Sequence, residues 1–290
     1  MYRLFLPPES SKTGSTLGVY FPPLGSSMGT DGLRDCAHLG EALAIPVLGV
    51  DRPGGGNLLP RVPRPRTSEE YLKLVGQATI DPLVAAIDQL SPKRIIAFGR
   101  SAGALAALAL PHALAAASMN EILIDTVYAA EPVGTFATTP SEGAKIWSQY
   151  KKNEKNLIDN PQATLLVRPE PTDTKGFTRL HRTALMLPHY FNDRRYNGRI
   201  WPQPLVIQYA SRAGTANTRV VIDFARTSMV LPPGAEESQK IKDLLSRILD
   251  ENENGSKLVV SRRTTHRSFD SREYFNNRLA SEAGIPHSTN

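Results

Sequence analysis

The segment Gly99–Gly103 reads GRSAG and has the residue types and spacing of a nucleophilic serine. An apolar run, Ile95–Phe98, precedes it and an alanine-rich run from Ala104 follows it, which predicts a buried strand, a turn and a helix. The G-x-S-x-G pattern is typical of a nucleophile elbow, in which a sharp strand-to-helix turn holds the serine in a strained conformation. A glycine-flanked turn without chemistry has the same pattern, so the other elements must decide between the two interpretations.

A serine hydroxyl is a poor nucleophile until a neighbouring base accepts its proton, so Ser101 would need a histidine within hydrogen-bond reach. Of the six histidines, His266 is predicted to lie in a polar loop just after a C-terminal strand. It is therefore our candidate base, and the alternative is a surface residue within a cluster of arginines. The other histidines fall on predicted helices or their ends, in a long irregular segment or near the C-terminus: His38, His112, His181, His189 and His287.

Strands and helices alternate along most of the chain, which predicts a doubly wound, mostly parallel sheet. The predicted strands are Tyr2–Leu6, Thr16–Phe21, Ile45–Val50, Ile95–Phe98, one within 121–134, Thr218–Ala225 and one that begins near Ser256. The predicted helices run from Thr30 or Asp31 to about Leu43, over about Ser68–Leu90, from Ala104 onward, and over Ala235–Glu251. The third of them belongs to the apolar run Ala102–Met119, which we interpret as a buried helix followed by a turn. Leu205–Ala210 is compatible with a strand or with the end of a helix.

The alternation fails between residues 134 and 203, where Lys, Arg, Asn and Pro are more frequent and helical pieces such as Ser141–Leu157 occur. We interpret residues 134–203 as a lid or cap insertion that covers the sheet edge. Residues 1–133 and 204–290 then form the core domain.

Composition narrows the class of protein. The chain has 290 residues, 40% of them hydrophobic, and one cysteine, Cys36, which excludes an internal disulfide and leaves too few thiols for a zinc cluster. The N-terminus does not resemble a signal peptide, and the apolar run Ala102–Met119 is too alanine-rich for a membrane span. We therefore expect a cytoplasmic protein without a cofactor or metal; the sequence leaves its oligomeric state open.

The net charge of +6 raises the question of a nucleic-acid partner. Basic residues gather in Arg179–Arg199 and Lys257–Arg272. Neither segment has an RNA-binding or helix-turn-helix signature, so a solvated basic surface is favoured and no nucleic-acid partner is expected.

Four segments in the expected order resemble the α/β-hydrolase family over nearly the whole chain apart from the insertion. They are FPPLGSSM (21–28), similar to the oxyanion loop; VLGVDRPGGG (47–56), similar to a strand that ends in an Asp-Arg pair; IIAFGRSAGAL (95–105), the elbow; and VVSRRTTHRSF (259–269), similar to the histidine loop. The resemblance implies an α/β-hydrolase fold in which Ser101 is the nucleophile and His266 the base.

The sequence departs from the commonest family pattern at the acid. The pattern implies an acid after the strand at 218–225, but Arg226, Thr227 and Ser228 stand there. Some members of the family place the acid after the preceding strand, where Glu131 lies. We favour Glu131, with Asp223 second, because Asp223 lies inside a strand.

The resemblance also implies an oxyanion hole and a reaction. The backbone N–H groups of Leu24 and Ala102 would bind the developing oxyanion, Gly25 is the alternative donor, and Gly25 and Arg100 are assigned to substrate binding. The expected function is hydrolysis of an ester or thioester, a small-molecule substrate selected by the lid, through an acyl-enzyme on Ser101. An acyltransferase with the same triad and a non-catalytic binding protein of this fold remain alternatives.

Overall fold

The computed structural model describes residues 2–7, 16–23, 26–29, 31–52, 67–136, 205–215, 217–228, 230–232 and 234–265. Within them seven strands form one sheet: β1 Tyr2–Phe5, β2 Thr16–Phe21, β3 Val47–Val50, β4 Arg94–Arg100, β5 Ile124–Ala130, β6 Arg219–Thr227 and β7 Lys257–Thr265. The helices in this part of the chain are α1 Asp31–Leu43, α2 Ser68–Leu90, α3 Ala102–Ala116, α4 Leu205–Thr215 and α5 Ala235–Asp250.

The strands lie in the order β1-β3-β2-β4-β5-β6-β7. Strand β1 is antiparallel to β3, and the other neighbouring pairs are parallel. This confirms the predicted mostly parallel, doubly wound sheet. Because the strands that precede the predicted functional residues are parallel, their carboxyl ends meet at one edge of the sheet, where sites in open α/β sheets form.

Both faces of the central strands are covered, which explains their unbroken apolar runs. Buried side chains of α2, α3, α4 and α5 pack on one face. Those of α1 pack on the other, and they include Cys36, which is fully buried on its helix as expected. Burial and the neighbouring Asp35 carboxylate raise the pKa of the Cys36 thiol to about 12, so this thiol stays protonated and unreactive.

Helix α3 continues past Pro111 to Ala116, and a turn follows at residues 117–118, which agrees with the prediction of a buried helix followed by a turn within Ala102–Met119. An internal proline costs a helix about 3 kcal/mol, but α3 is buried over most of its length between the sheet and its helical neighbours. At the contact with α2, a Cβ on Gly76 would lie 2.8 Å from the Ala113 carbonyl oxygen. Tertiary packing on small side chains therefore overrides the local preference of the proline.

Leu205–Thr215 is a helix, α4, which resolves the ambiguous interpretation of its first six residues. The N–H of Val206 donates to the carbonyl oxygen of Gly134 at 3.1 Å. The two ends of the predicted insertion thus meet at the core, while residues 137–203, including the predicted helical piece Ser141–Leu157, lie outside the described residues. Among the described helices, none combines the length and apolarity needed to cross a bilayer.

An aromatic row crosses the α1 face of the sheet. Rings of Tyr20, Phe98 and Tyr128 stack on neighbouring strands, with centroids 5.7 and 5.5 Å apart. At one end of the row the Tyr20 hydroxyl donates to Asp35 at 2.9 Å. At the other, Tyr128 donates to Asp223 at 2.9 Å. Buried phenols need such acceptors, so each carboxylate completes the packing of this face.

We predict that Tyr128→Phe lowers the free energy of unfolding by about 1–2 kcal/mol, because it removes one donor from the fully buried Asp223 carboxylate. Urea denaturation followed by circular dichroism measures the change. Tyr2→Phe is the matched control, since Tyr2 is 53% exposed, and its stability should equal that of the wild type. Equal stability of both variants would contradict the structural role of the Tyr128 hydroxyl.

Candidate active site

The corner between β4 and α3 has the geometry predicted for a nucleophile elbow. Strand β4 ends at Arg100, α3 begins at Ala102, and Ser101 between them has φ 55° and ψ −121°. A residue other than glycine in this region of backbone space costs about 1–3 kcal/mol. The shortest of its backbone hydrogen bonds run from Ser101 N–H to the Ala130 oxygen, at 2.9 Å, and from Ala104 N–H to the Ser101 oxygen, at 3.1 Å.

The two glycines of the motif are needed for close backbone packing. A Cβ on Gly99 would overlap the carbonyl group of Gly103. A Cβ on Gly103 would overlap the carbonyl oxygen of Phe21 and lie 2.6 Å from that of Pro22. Any side chain at either position would push the helix away from the strands. The spacing of the motif is therefore set by sterics.

Ala102 begins helix α3, so its backbone N–H belongs to the first turn, where N–H groups have no acceptor within the helix. This end of a helix also has a partial positive charge. Both properties favour an anionic oxygen beside Ser101.

Glu131 follows β5 directly and is fully buried. Its φ is +50°, which is uncommon for a residue with a side chain. The conformation is fixed from both sides: Glu131 N–H donates to the Asp223 carbonyl oxygen at 2.7 Å, and its Oε1 accepts from Ala225 N–H at 2.7 Å. The carboxylate therefore continues the hydrogen-bonded ladder between β5 and β6 at the carboxyl edge of the sheet.

Backbone hydrogen bonds bring the Glu131 segment to the elbow. Ser101 N–H donates to Ala130, the residue before Glu131, and Val133 N–H donates to the Ser101 oxygen at 3.4 Å. The chain thus passes Ser101 immediately before and after Glu131. Two of the predicted catalytic residues share one edge of the sheet.

The Asp223 carboxylate has a different environment. It lies inside β6 and accepts from the Tyr128 hydroxyl at 2.9 Å and from the Ser261 hydroxyl at 2.9 and 3.1 Å. Its partners are side chains of the two neighbouring strands. This is the structural contact expected of a carboxylate within a buried strand.

The loop after β6, where the commonest family pattern has its acid, is held by one local and one long-range hydrogen bond. Ser228 Oγ accepts from Val230 N–H at 3.2 Å, and the Thr135 hydroxyl donates to the Val230 oxygen. Ser228 thus stabilises a local turn.

The remaining predicted site residues stand as follows. Arg100 is buried at the end of β4, and its assignment to substrate binding stays a prediction. Strand β7 ends at Thr265, immediately before His266. His266, Leu24 and Gly25 lie outside the described residues.

One buried carboxylate at this edge, that of Asp51, was not predicted from the sequence as a site residue. Asp51 follows β3, is 1% exposed, and its Oδ1 accepts from Met28 N–H at 2.8 Å. The sequence feature that could have indicated this contact is an aspartate directly after a buried strand. We had interpreted the Asp51-Arg52 pair as part of a family pattern and assigned it no contact.

Solved structures with a similar fold are esterases and lipases by name. An esterase from Pyrobaculum calidifontis has a TM-score of 0.55 at 14% identity, over 98% of this chain and 82% of that one. A fungal esterase from Rhizomucor miehei has a TM-score of 0.55 at 13% identity, over 98% and 79%. A hormone-sensitive lipase from a metagenome library has a TM-score of 0.53 at 14% identity, over 95% and 80%.

At the level of sequence, no protein-family model matches the chain, and a search of curated proteins finds no match. The structural similarity, together with the order and direction of the strands, establishes the fold alone. The chain has the α/β-hydrolase fold.

Proposed function

We propose that the protein is a serine hydrolase that cleaves an ester or thioester through an acyl-enzyme on Ser101. The observation that carries the proposal is the strained conformation of Ser101, at a strand-to-helix corner where two glycines are sterically required. Strain of this kind persists only where the surrounding structure enforces it, and it is concentrated at functional sites. The solved esterases and lipase of the same fold agree with this proposal.

In the proposed reaction, Ser101 Oγ attacks the acyl carbon while His266 accepts the hydroxyl proton. The carbonyl oxygen becomes an oxyanion, which the N–H groups of Ala102 and Leu24 bind. Collapse of this intermediate breaks the bond to the alcohol or thiol, and the leaving group takes the proton from His266. Water, deprotonated by the same histidine, then releases the acid and restores Ser101.

We assign Glu131 as the acid that orients His266 and stabilises its charged form. Its carboxylate lies at the carboxyl edge of the sheet, on a segment that contacts Ser101 on both sides. Asp223 already accepts from two side-chain hydroxyls within the sheet, those of Tyr128 and Ser261. Of these two carboxylates, the one of Glu131 belongs to a residue that follows the end of a strand, which supports its assignment as the acid.

The insertion, residues 134–203, would form the lid that selects the substrate. Its ends leave the core beside the candidate site, because Gly134 follows Glu131 by three positions and bonds to Val206. The insertion contains several arginines, among them Arg179, Arg182, Arg194, Arg195 and Arg199. Positive charge there favours a substrate with an anionic portion.

A non-catalytic binding protein of the same fold is the second candidate. It is favoured by one observation, the turn-forming Ser228 in the loop where the commonest family pattern has an acid. The two candidates differ in whether Ser101 reacts, which a covalent probe measures directly. An acyltransferase differs from a hydrolase only in the acceptor, so product analysis with and without an added alcohol separates those two.

We predict that a fluorophosphonate probe labels the wild-type protein and that Ser101→Ala abolishes the labelling, because the reactive oxygen is removed. The melting temperature of the variant should change little, since Ser101 makes its backbone contacts through groups that alanine retains. Mass spectrometry of the labelled peptide measures the site. Persistent labelling of the variant would remove Ser101 from the mechanism.

We predict that His266→Ala lowers kcat for a chromogenic ester by about 100-fold or more, because the general base is lost. The matched controls are alanine variants of His181 and His189, which lie in the predicted insertion. If His266→Ala turned over normally while a control variant was inactive, the assignment of the histidine loop would be wrong.

We predict that Glu131→Gln lowers kcat by roughly 1000-fold, because an amide cannot stabilise a protonated imidazole and favours the wrong tautomer. The amide oxygen can still accept the Ala225 N–H, so the variant should fold. Asp223→Asn is the control and should reduce stability more than rate, because its contacts lie within the sheet. The reverse pattern, an inactive Asp223 variant and an active Glu131 variant, would contradict the assignment.

A further inference from the structure

Asp51 is a buried carboxylate that has no role in the reaction described above. It is 1% exposed and lies immediately after β3, at the carboxyl edge of the sheet. Its Oδ1 accepts the backbone N–H of Met28 at 2.8 Å, from a residue 23 positions earlier. Burial of a carboxylate is costly unless hydrogen bonds compensate it, so this contact joins two distant segments of the chain.

Met28 lies in the segment between β2 and α1, which also contains the proposed oxyanion donor Leu24 and its alternative Gly25. The start of this segment, at Phe21 and Pro22, is fixed at the strand-to-helix corner, because the carbonyl groups of both residues pack against Gly103. The later part of the segment is fixed at Met28 by its hydrogen bond to Asp51. In the sequence, the proposed donors are therefore flanked by two fixed points, Pro22 on one side and Met28 on the other.

The second fixed point, Met28, is closely packed against strand β3. The Met28 side chain is fully buried against Gly49 of β3, where any Cβ would overlap it. Two other hydrogen bonds in this segment are local: Ser26 N–H donates to the Pro23 oxygen at 3.2 Å, and Gly32 N–H to the Ser27 oxygen at 3.0 Å. Such local bonds shape the segment, whereas the Asp51 contact ties it to the end of a strand.

We propose that Asp51 is a positioning residue for the oxyanion hole: by holding Met28, it sets where the donors at residues 24–25 lie relative to Ser101 and Ala102. This inference rests on the proposed function. An oxyanion donor acts only within about 2.7–3.1 Å of the developing charge. A displacement of about 1 Å costs up to about 100-fold in rate.

The test compares three substitutions of one residue. Asp51→Ala removes the acceptor, Asp51→Asn keeps an acceptor oxygen at the same distance along the side chain, and Asp51→Glu keeps the charge but moves the acceptor by one methylene. We expect kcat for a chromogenic ester to fall about 10- to 100-fold in Asp51→Ala and Asp51→Glu, with KM changed less than about threefold. Asp51→Asn should retain most of the wild-type kcat.

A second readout distinguishes a displaced oxyanion hole from general destabilisation. A trifluoromethyl ketone forms a bond from Ser101 Oγ to its carbonyl carbon, the serine proton passes to His266, and the carbonyl oxygen becomes an anion in the oxyanion hole. The affinity for this inhibitor should fall by the same factor as kcat/KM across the three variants. A merely structural role would lower stability without this proportionality.

Asp35→Ala is the matched control. Asp35 is also 1% exposed and accepts hydrogen bonds from the Tyr20 hydroxyl at 2.9 Å and from the Arg34 guanidinium at 3.5 Å, but it lies on α1. This variant should be less stable, with unchanged kcat and inhibitor affinity per active site. Rates are referred to the active-site concentration from fluorophosphonate titration.

Wild-type kcat and inhibitor affinity in folded Asp51→Ala or Asp51→Glu would overturn the inference and leave the proposed function intact. An Asp51→Asn variant as slow as Asp51→Glu would also overturn it, because the acceptor would then not be the cause. If Asp51→Ala does not fold, Asp51→Glu and Asp51→Asn decide. A wild-type protein that neither reacts with the probe nor hydrolyses esters would overturn both proposals.

Discussion

The close approach of Gly103 to the carbonyl groups of Phe21 and Pro22 constrains the whole candidate site. It presses the first turn of α3 against the end of β2, so the helix must begin at once after β4. Ser101 is then forced into a conformation with positive φ. The same contact fixes Phe21 and Pro22, at the start of the segment that contains the proposed oxyanion donor. One steric requirement thus fixes Ser101, the proposed nucleophile, and one side of the proposed oxyanion hole.

Two buried carboxylates near this edge have different environments, although a single backbone hydrogen bond joins their residues. Asp223 lies inside a strand and completes the side-chain packing of the α1 face. Glu131 lies one residue beyond the end of β5 and binds a backbone N–H of β6. The carboxylate within the strand contacts side chains of the neighbouring strands, whereas the carboxylate beyond the strand end contacts a backbone N–H group. This difference is the physical basis for assigning the acid to Glu131.

Much of the fold could be predicted from the sequence, because buried parallel strands have continuous apolar runs and the elbow has a spacing dictated by sterics. Helix α2 has the predicted bounds. Helix α3 continues through Pro111, because tertiary packing compensates the local cost of the proline. Leu205–Ala210 was ambiguous because six apolar-rich residues fit either period.

The candidate site was less predictable, since its contacts join residues far apart in the chain. The strand–turn–helix at Ser101 follows from adjacent residues. The bond from Ala225 to Glu131 spans 94 positions and that from Met28 to Asp51 spans 23. No local sequence pattern predicts which of several carboxylates will accept a hydrogen bond from a given backbone N–H group. The sequence could supply Glu131 and Asp223 as candidates, and only the register of β5 and β6 shows how their surroundings differ.

The central claim is that Ser101 forms a covalent acyl intermediate, and rapid-quench mass spectrometry during turnover of p-nitrophenyl acetate tests it most directly. The account predicts a burst of nitrophenol equal to the enzyme concentration, an acetyl group on the peptide that contains Ser101, and its disappearance as the substrate is consumed. Steady turnover without a burst and without acetylation of that peptide in slow-deacylating conditions, or an acetyl group on another residue, would contradict it.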